Sequence, residues 1–366
     1  MKIKREEIFS ARVKALRTSM RALAGGGVEA LLVSDMANIR YLTGFTGSSA
    51  KVVVTARGAW FFTDFRYDSQ ANQEISGFKI IILKKSWIDG VAGLISRLKK
   101  DSLSFEENFL TYAAFRGLKR ALSGVRLKPV SGIVEKLRQV KDTLEIKELK
   151  TAAQIADEGF KEAARLIRSG RSGLSELDVS TAIERVLKKK GAIGPSFDII
   201  VASGTRSALP HGIASDKLIK KGEFVIVDMG ALYKGYHSDA TRTYITGKPT
   251  KRQLEIYNCV LEAHDRAVAM VRPGVKAADI DRAAREHIER AGFGKYFGHG
   301  TGHGTGLVIH EGPNISPKSK DVVTEGMVFT IEPGIYVPGF GGVRIEDMVQ
   351  VTSSGATLLT EASQGV

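Results

Sequence analysis

Apolar runs alternate with helical patterns over the first part of the chain. Four short runs rich in β-branched and aromatic residues predict strands, at 29–34, 50–55, 59–63 and 78–83. Apolar positions spaced by three and four predict helices, around 5–24, 88–100, 111–122 and 132–140. Strands that alternate with helices in this way indicate an α/β domain.

The pattern changes near residue 141. Two helical stretches come first, one from about 143 to Ser169-Gly170 and one that stops at Gly191. Strands around 196–203 and 223–230, helices at 251–271 and 276–291, and a strand-rich end from 297 follow. This order predicts an α+β domain with a mostly antiparallel sheet. A length of 366 residues also favours two domains, and we expect them at 1–141 and 142–366.

The charge distribution supports the same boundary. Residues 1–141 contain 25 Lys and Arg against 12 Asp and Glu, whereas residues 142–366 contain 29 against 28. The basic excess behind the net charge of +14 is scattered, and no RNA-binding or helix-turn-helix signature accompanies it. We therefore expect a solvated basic surface on the first domain and no specific nucleic-acid partner.

Two further features bear on the location of the protein. No apolar run approaches the roughly 18 residues of a membrane span, and the basic N-terminus lacks an apolar signal core. The single cysteine, Cys259, has no partner for an internal disulfide. These features predict a soluble, cytoplasmic protein without a membrane partner.

The stretch GHGTGHGTGLVIHE, residues 298–311, concentrates three of the seven histidines: His299, His303 and His310. Five glycines between 298 and 306 exclude a helix, because each costs about 1 kcal/mol relative to alanine. In an extended chain, alternate residues share a face, so His299, Thr301, His303 and Thr305 are expected to point one way. The other face has no side chains, which lets backbone or a ligand approach closely. This pattern favours a binding site over a flexible loop.

Two predicted hairpins supply acidic partners for these histidines. Pairing of 223–230 with 237–245 about a turn near Tyr233-Lys234 would put Asp228 directly opposite Asp239. A wider loop centred near Gly339 would similarly face Glu332 with Glu346. Opposed residues of one sheet face lie about 5 Å apart, close enough to share metal ions.

Four carboxylates in apolar strands (VIVD, FTIE, VRIE) are costly to bury without cations. Two divalent ions would balance their four negative charges. In the alternative interpretation, each carboxylate has its own salt-bridge partner or lies in solvent. Two such hairpins beside a glycine-framed histidine cluster favour the metal centre.

The chain resembles the pita-bread metallopeptidases, which include methionine aminopeptidase, prolidase and aminopeptidase P. The resemblance rests on SFDIIVASGTRSALPHG, VDMGALYKGYHSDATRTY, GHGTGHGTGLVIHE, VFTIEPGIY and GGVRIEDMV, in family order. NIRYLTGFTGSSA and FTDFRY extend it to the N-terminal domain of prolidases and aminopeptidases P. Phe65 departs from a DGRY-like motif, which leaves the roles of Arg66 and Tyr67 open.

The resemblance implies a role for each candidate residue. The ligands of two divalent metal ions would be Asp228, Asp239, His303, Glu332 and Glu346. Family habit suggests Mn²⁺, and this oxygen-rich set with one imidazole also suits Co²⁺, Zn²⁺ or Fe²⁺. The metal pair would activate the water that attacks the scissile carbonyl.

Other residues would act on the substrate or on the ligands. The resemblance makes Glu332 also the proton shuttle, and it makes His310 and His211 catalytic histidines on the substrate side. His299 would line the pocket near the leaving proline, with a packing role as the alternative. Arg344 shares a strand face with Glu346 and would orient the ligands. His237 has no assigned role.

The resemblance implies a metal-dependent exopeptidase that acts on short peptides with proline in the second position, and a homodimer. The sequence analysis favours an Xaa-Pro aminopeptidase, with an Xaa-Pro dipeptidase (prolidase) as the alternative. A non-catalytic binding module of the same fold is a third hypothesis. It is disfavoured because such proteins typically lose metal ligands, and all five are present here.

Overall fold

The chain divides into two units, Met1–Arg138 and Gln139–Val366, in this computed structural model, which describes residues 5–23 and 27–363. The second unit opens with a helix whose N-cap is Asp142, and its side chain accepts hydrogen bonds from the N–H groups of Leu144 and Glu145. The sequence analysis had placed the boundary between 141 and 142.

The N-terminal unit is built around one six-stranded sheet. Its strands are β1 (Ala30–Val33), β2 (Lys51–Thr55), β3 (Ala59–Asp64), β4 (Lys79–Leu83), β5 (Ser102–Glu106) and β6 (Arg126–Val130). Their order is β4-β3-β2-β1-β5-β6, with β3–β4, β1–β5 and β5–β6 parallel and the other neighbours antiparallel. The predicted α/β class is confirmed.

In the described part of this unit, six α-helices accompany the sheet. They are α1 (Arg5–Ala22), α2 (Met36–Thr43), α3 (Asp68–Glu74), α4 (Trp87–Arg97), α5 (Tyr112–Ala121) and α6 (Glu135–Gln139). The apolar faces of α4 and α5 pack with β1, β3 and β5 in one core, which includes Trp60, Phe62 and Phe105. Sequence analysis did not predict β5, β6, α2 or α3, whose apolar periods are short.

The C-terminal unit has two helix pairs. The helices are α7 (Thr143–Arg168), α8 (Glu176–Lys189), α9 (Lys251–Met270) and α10 (Ala277–Arg290). Three of them begin in a capping box, formed by Asp142 and Glu145, Ser175 and Asp178, and Thr250 and Gln253. These reciprocal hydrogen bonds explain why the helices start close to where the sequence predicts.

The strands of this unit form several small sheets. The strands are β7 (Gly194–Pro195), β8 (Ile200–Ser203), β9 (Phe224–Met229), β10 (Ala231–Tyr233), β11 (Tyr236–His237), β12 (Ala240–Ile245), β13 (Gly302–Gly304), β14 (Glu311–Ile315), β15 (Val328–Ile331), β16 (Gly334–Val337), β17 (Gly341–Arg344), β18 (Asp347–Thr352) and β19 (Gly355–Leu358). Every pairing among these strands of the described chain is antiparallel, which confirms the predicted α+β class.

Two apolar cores hold the helix pairs on the strands. One core packs α7 and α8 against β8, β9 and β12. The other packs α9 and α10 against β15 to β18. The strands whose ends carry the acidic residues, β9 and the paired β15 and β18, are therefore packed against apolar cores. Such packing holds site residues in a defined position.

Candidate functional site

The first acidic hairpin carries Asp228 near the end of β9. There Asp228 pairs with Thr241 of β12, and Met229 pairs with Ala240. Asp239 comes directly before β12. The expected pairing of Asp228 opposite Asp239 is therefore wrong by two residues.

The turn explains this difference. Tyr233 pairs with Tyr236, so the turn residues are Lys234 and Gly235, with φ of 46° and 82°. Positive φ at both positions is typical of a type I′ turn, centred one residue later than expected. Moving the centre by one residue moves each partner by two. Because side chains alternate with a period of two, Asp239 keeps the face that the sequence analysis assigned to it.

The second acidic hairpin has the expected register. Ile331 pairs with Asp347 and Gly334 pairs with Arg344. Glu332 and Glu346 lie between these two pairs, where the ladder is interrupted. The predicted alignment of this hairpin about Gly339 is confirmed.

The glycine-rich stretch brings His303 to these carboxylates. β13 lies between β14 and β15, and a Cβ added at Gly302 would overlap the carbonyl oxygen of Thr330. A Cβ at Gly304 would overlap the carbonyl of Gly312. Close backbone approach is therefore the reason for glycine at these positions.

The extended conformation is shorter than the sequence analysis assumed. It covers only Gly302–Gly304, and the register shifts between His303 and Gly304. Thr301 and Thr305 are buried, and their hydroxyls donate to Asp281 and to the carbonyl of His237. The two threonines thus stabilise the backbone, while His299 and His303 line a cavity.

This cavity has a volume of about 1290 Å³ and contains all of the candidate site residues. Asp239, His303 and Glu346 each offer a ligand atom, and these atoms lie within 4.8 Å of one another. The Nε2 atom of His303 is 3.5 Å from Oδ2 of Asp239 and 3.5 Å from Oε1 of Glu332. Three carboxylates therefore surround one imidazole.

Burial and mutual repulsion perturb these groups. Burial, followed by the neighbouring carboxylates, holds the pKa values of Asp239 and Glu346 well above their usual range. The pKa of Glu332 is also raised, mainly by burial. Burial lowers the pKa of His303, which favours the neutral form of the ring, the form that can bind a cation. A cluster of this kind favours bound cations, which would remove the repulsion.

Asp228 completes the set of acidic residues in the cavity. Its Oδ2 accepts a hydrogen bond of 2.6 Å from Arg344. Its Oδ1 is buried and has no hydrogen-bond partner among the described residues. A buried carboxylate oxygen without a donor fits a metal ligand, since a cation would satisfy it.

Arg344 uses its guanidinium for several hydrogen bonds around Asp228. It lies on β17, is buried, and also donates to Oγ1 of Thr241, to the hydroxyl of Tyr336 and to the carbonyl of Pro210. Thr241 in turn donates to Glu346 over 2.7 Å. Arg344 therefore orients Asp228 directly and acts on Glu346 through Thr241.

Tyr336 connects Arg344 to His299. The Gly300 carbonyl can only accept, so Nδ1 of His299 carries the proton of the neutral ring and Nε2 accepts from the Tyr336 O–H over 3.0 Å. Nδ1 of His299 donates to the carbonyl of Gly300 over 2.7 Å. Burial lowers the pKa of His299, consistent with a neutral ring, and raises that of Tyr336 to about 12. Both ring nitrogens of His299 are thus occupied, which leaves its ring face for contact with a ligand.

His211 and His310 lie on the exposed wall of the cavity. The ring of His310 meets that of His303 edge-on, with centroids 4.4 Å apart. Burial and the neighbouring His303 lower the pKa of His310. Both side chains can contact a ligand in the cavity.

The remaining histidines lie elsewhere. His237 is half-buried in β11, and its backbone N–H donates to the carbonyl of Gly306. His264 is buried in α9, 3.2 Å from Asp347, and His287 lies near Glu262. In the N-terminal unit, Arg66 pairs with Asp64, and the Tyr67 hydroxyl is 2.7 Å from that of Ser48. These contacts assign no catalytic role to Arg66, Tyr67 or His237.

Sequence reasoning did not assign roles to two residues of this network, Thr241 and Tyr336. Both lie in quoted motifs, DATRTY and EPGIY, so the signal was present. Their roles depend on contacts with Arg344, which is 103 and 8 residues away along the chain. Spacing alone does not reveal such contacts.

Comparisons with known proteins agree with this site. The model of metallopeptidase family M24 matches residues 147–353, and that of the creatinase/prolidase N-terminal domain matches residues 12–140. The chain belongs to metallopeptidase family M24. The M24 match contains every candidate ligand, and the N-terminal match covers most of the first unit.

Individual M24 relatives are similar over nearly the whole chain. A solved Xaa-Pro dipeptidase from Bacillus anthracis is 44% identical, with a TM-score of 0.93, covering 97% of this chain and 98% of the other. The Xaa-Pro dipeptidase of Pyrococcus horikoshii is 37% identical over 98% of this chain and 99% of its own. A solved X-Pro aminopeptidase from Thermotoga maritima is 36% identical, with a TM-score of 0.87, covering 95% and 98%.

Proposed function

We propose that this chain is a dinuclear-metal Xaa-Pro dipeptidase. The observation that carries the proposal is the convergence of four carboxylates and one histidine in a single cavity of an M24 chain. Two relatives that span almost all of this chain are named Xaa-Pro dipeptidases. These relatives favour the dipeptidase over the aminopeptidase that the sequence analysis preferred.

The proposed metal ligands are Asp228, Asp239, His303, Glu332 and Glu346. When bound, a pair of divalent ions supplies an activated water and polarises the scissile carbonyl. Mn²⁺ is the proposed native metal, with Co²⁺, Zn²⁺ and Fe²⁺ as the other candidates for an oxygen-rich set. The chain's own part is to hold the ligands in place, through Arg344 and Thr241.

The substrate-side roles follow from which polar atoms are available. His310 and His211 are exposed in the cavity, and we assign them to hydrogen bonds with the substrate and the developing oxyanion. Glu332 carries protons between the water and the leaving amine. His299 presents only its ring face, which suits an apolar pyrrolidine ring.

A dipeptide also carries a free carboxylate next to the scissile bond, and burying it without a cation is costly. Lys295 and Arg344 are the permanent cations among the described residues that line the cavity. Arg344 is engaged by four partners, whereas Lys295 is exposed. We propose that Lys295, whose Nζ lies 4.9 Å from the centre of the Tyr296 ring, is the cation that meets the carboxylate of a dipeptide.

Paired kinetics on Ala-Pro, Ala-Pro-Ala and Ala-Ala test the proposal. Ala-Pro should give the highest kcat/KM, and Ala-Ala should be cleaved poorly, because proline's ring and lack of an N–H distinguish it from other residues. Chelation should abolish hydrolysis, and Mn²⁺ should restore it. A higher kcat/KM for Ala-Pro-Ala would make the enzyme an aminopeptidase, and full activity without metal would refute the metal centre.

Two further properties belong to the proposal. We propose a homodimer located in the cytoplasm, and size measurement in solution tests the first part. No helix in the described part of the chain combines the length and hydropathy needed to cross a membrane.

A further inference from the structure

Two residues of α10, Asp281 and Arg285, form hydrogen bonds to the glycine-rich stretch from outside the cavity lining. Asp281 is buried, and its Oδ1 accepts hydrogen bonds from the backbone N–H of Thr301, over 3.1 Å, and from its hydroxyl, over 2.8 Å. Asp281 lies outside the cavity lining and far from the proposed metal ligands in sequence. Its carboxylate thus fixes the residue two positions before His303.

Arg285, one helical turn later, completes this grip. Its guanidinium donates to both oxygens of Asp281, over 2.8 and 2.9 Å. It also donates to the carbonyls of His299, over 2.7 Å, and Phe297, over 3.2 Å, and lies 4.3 Å from the centre of the Phe297 ring. The pair therefore holds three alternate residues, Phe297, His299 and Thr301.

The intervening residues explain why an external grip is needed. Gly298 and Gly300 have no side chains with which to pack, and glycine loses more conformational freedom on folding than any other residue. The strand β13 begins only at Gly302. Residues 297–301 thus precede this strand: the Thr301 carbonyl accepts from the N–H of Glu332 over 2.8 Å, whereas Arg285 holds the carbonyls of Phe297 and His299.

We propose that Asp281 and Arg285 are positioning residues for the active site. By holding the backbone of His299, they keep its Nε2 on the hydroxyl of Tyr336, which accepts from Arg344, the residue that orients Asp228. Neither residue of the pair lines the cavity. The kinetic consequences rest on the proposed peptidase function, whereas the placement of His299 does not.

The same helix offers a matched control. Arg282 pairs with Asp279 and Glu286 on the surface, and its side chain is 60% exposed. Arg285 is 22% exposed and its partner Asp281 only 1%. Arg282→Ala therefore removes the same charge and a similar ion pair without touching residues 297–301.

The first measurement reads His299 directly. In protein labelled with ¹⁵N-histidine and loaded with diamagnetic Zn²⁺, the His299 imidazole signals are assigned by their loss in His299→Gln. Arg285→Ala should shift them, because the ring loses its fixed hydrogen bonds, and Arg282→Ala should leave them unchanged. This measurement needs no catalytic activity.

The second measurement is kinetic. On Ala-Pro with Mn²⁺, Arg285→Ala should lower kcat/KM by about 10- to 100-fold, the scale of an ångström-sized misplacement. The metal content should stay at two ions per chain, and Arg282→Ala should stay within about twofold of the wild type. Millimolar guanidinium should partly restore Arg285→Ala, since it can refill the space and the hydrogen bonds of the lost group.

The outcomes separate the two proposals. Unchanged His299 signals in Arg285→Ala would overturn the positioning role, whatever the kinetics. Shifted signals with wild-type kcat/KM would overturn its link to catalysis. If Arg285→Ala does not fold, Arg285→Lys and Asp281→Asn are read in the same way. An inactive wild type would refute the peptidase proposal alone, because the His299 signals would still decide the positioning role.

Discussion

At the level of single residues, the side chains that line the cavity are of two kinds. Some have their polar atoms hydrogen-bonded within the protein, and others have polar atoms available to a metal ion or a substrate. Arg344 and His299 have partners for their polar atoms within the protein. His310 and His211 are exposed to the cavity, and Oδ1 of Asp228 is buried without a donor in the described structure. This difference, rather than residue type, distinguishes supporting groups from groups that meet metal or substrate.

His303 and His310 are adjacent, yet their substitution should have different effects. His303→Ala should lose metal and activity together, because it removes an imidazole that lies 3.5 Å from two carboxylates. His310→Ala should keep near-normal metal content while kcat falls by about 100-fold, the scale of a lost oxyanion donor. Metal analysis and kinetics on the same preparations check this. Equal loss of metal in both variants would contradict the assignment.

At the level of elements, the glycines of residues 298–306 do different jobs. Gly302 and Gly304 have carbonyl oxygens against their Cα atoms, so they allow β13 to lie between β14 and β15. Gly298 is open: no heavy atom of the described residues would lie within 4 Å of an added Cβ. Of these three glycines, Gly302 and Gly304 are required by packing and Gly298 is not.

This contrast predicts the effect of alanine. Gly302→Ala should destabilise the C-terminal unit by about 1–3 kcal/mol, the usual cost of overpacking, because its Cβ would overlap the Thr330 carbonyl. Gly298→Ala should change the free energy of unfolding by less than about 0.5 kcal/mol. Urea unfolding followed by circular dichroism measures both. Similar losses in the two variants would show that backbone freedom, and not close approach, requires these glycines.

At the level of the whole molecule, the N-terminal unit has a buried polar centre of its own. Glu106, at the end of β5, accepts from the N–H groups of Ser34 and Asp35, over 2.6 and 2.9 Å, and from the amide of Asn38, over 2.7 Å. Burial nevertheless raises the pKa of Glu106 to about 7. Its ionisation therefore affects the stability of this unit near neutral pH.

The pH dependence follows from the direction of this shift. The folded pKa of about 7 exceeds that of an unfolded glutamate, about 4.3, so the folded state binds the proton more tightly. The contribution of Glu106 to stability is lowest above about pH 7 and rises as the pH falls towards 4.3, by at most about 1.4 kcal/mol per pH unit. Below that range it stays constant.

Tryptophan fluorescence can measure this effect. Both tryptophans, Trp60 and Trp87, lie in the N-terminal unit, so their fluorescence follows its unfolding in urea. The urea concentration at the unfolding midpoint of the wild type should be higher at pH 6 than at pH 8. Glu106→Gln should flatten the slope, because an amide does not titrate. An equal slope in the variant would assign the effect to other groups.

The sequence determined the features that depend on neighbours along the chain. Apolar periods located the long helices and the strands β1 to β4, β8 and β9. The Gly339-centred hairpin had its predicted register because one centre aligns both of its ladder segments. Short elements were missed, although α2 carries local signals: the N-cap Asp35 and the left-handed Gly44 at its end. In those cases, too few apolar positions were available to establish a period.

Tertiary structure decided what depends on distant residues or on backbone angles. The turn at Lys234 and Gly235 shifted the strand pairing of the first hairpin by two residues from the expected one. The sequence did not indicate this turn, because lysine seldom adopts a positive φ. The hydrogen bond from Arg344 to Asp228 joins residues 116 positions apart. The hydrogen bond from Arg285 to the carbonyl of His299 joins a helix to the glycine-rich stretch. Sequence patterns name the groups that a site needs. Which of them meet is decided by packing of the whole unit, since a hydrogen bond requires its two atoms within about 3 Å.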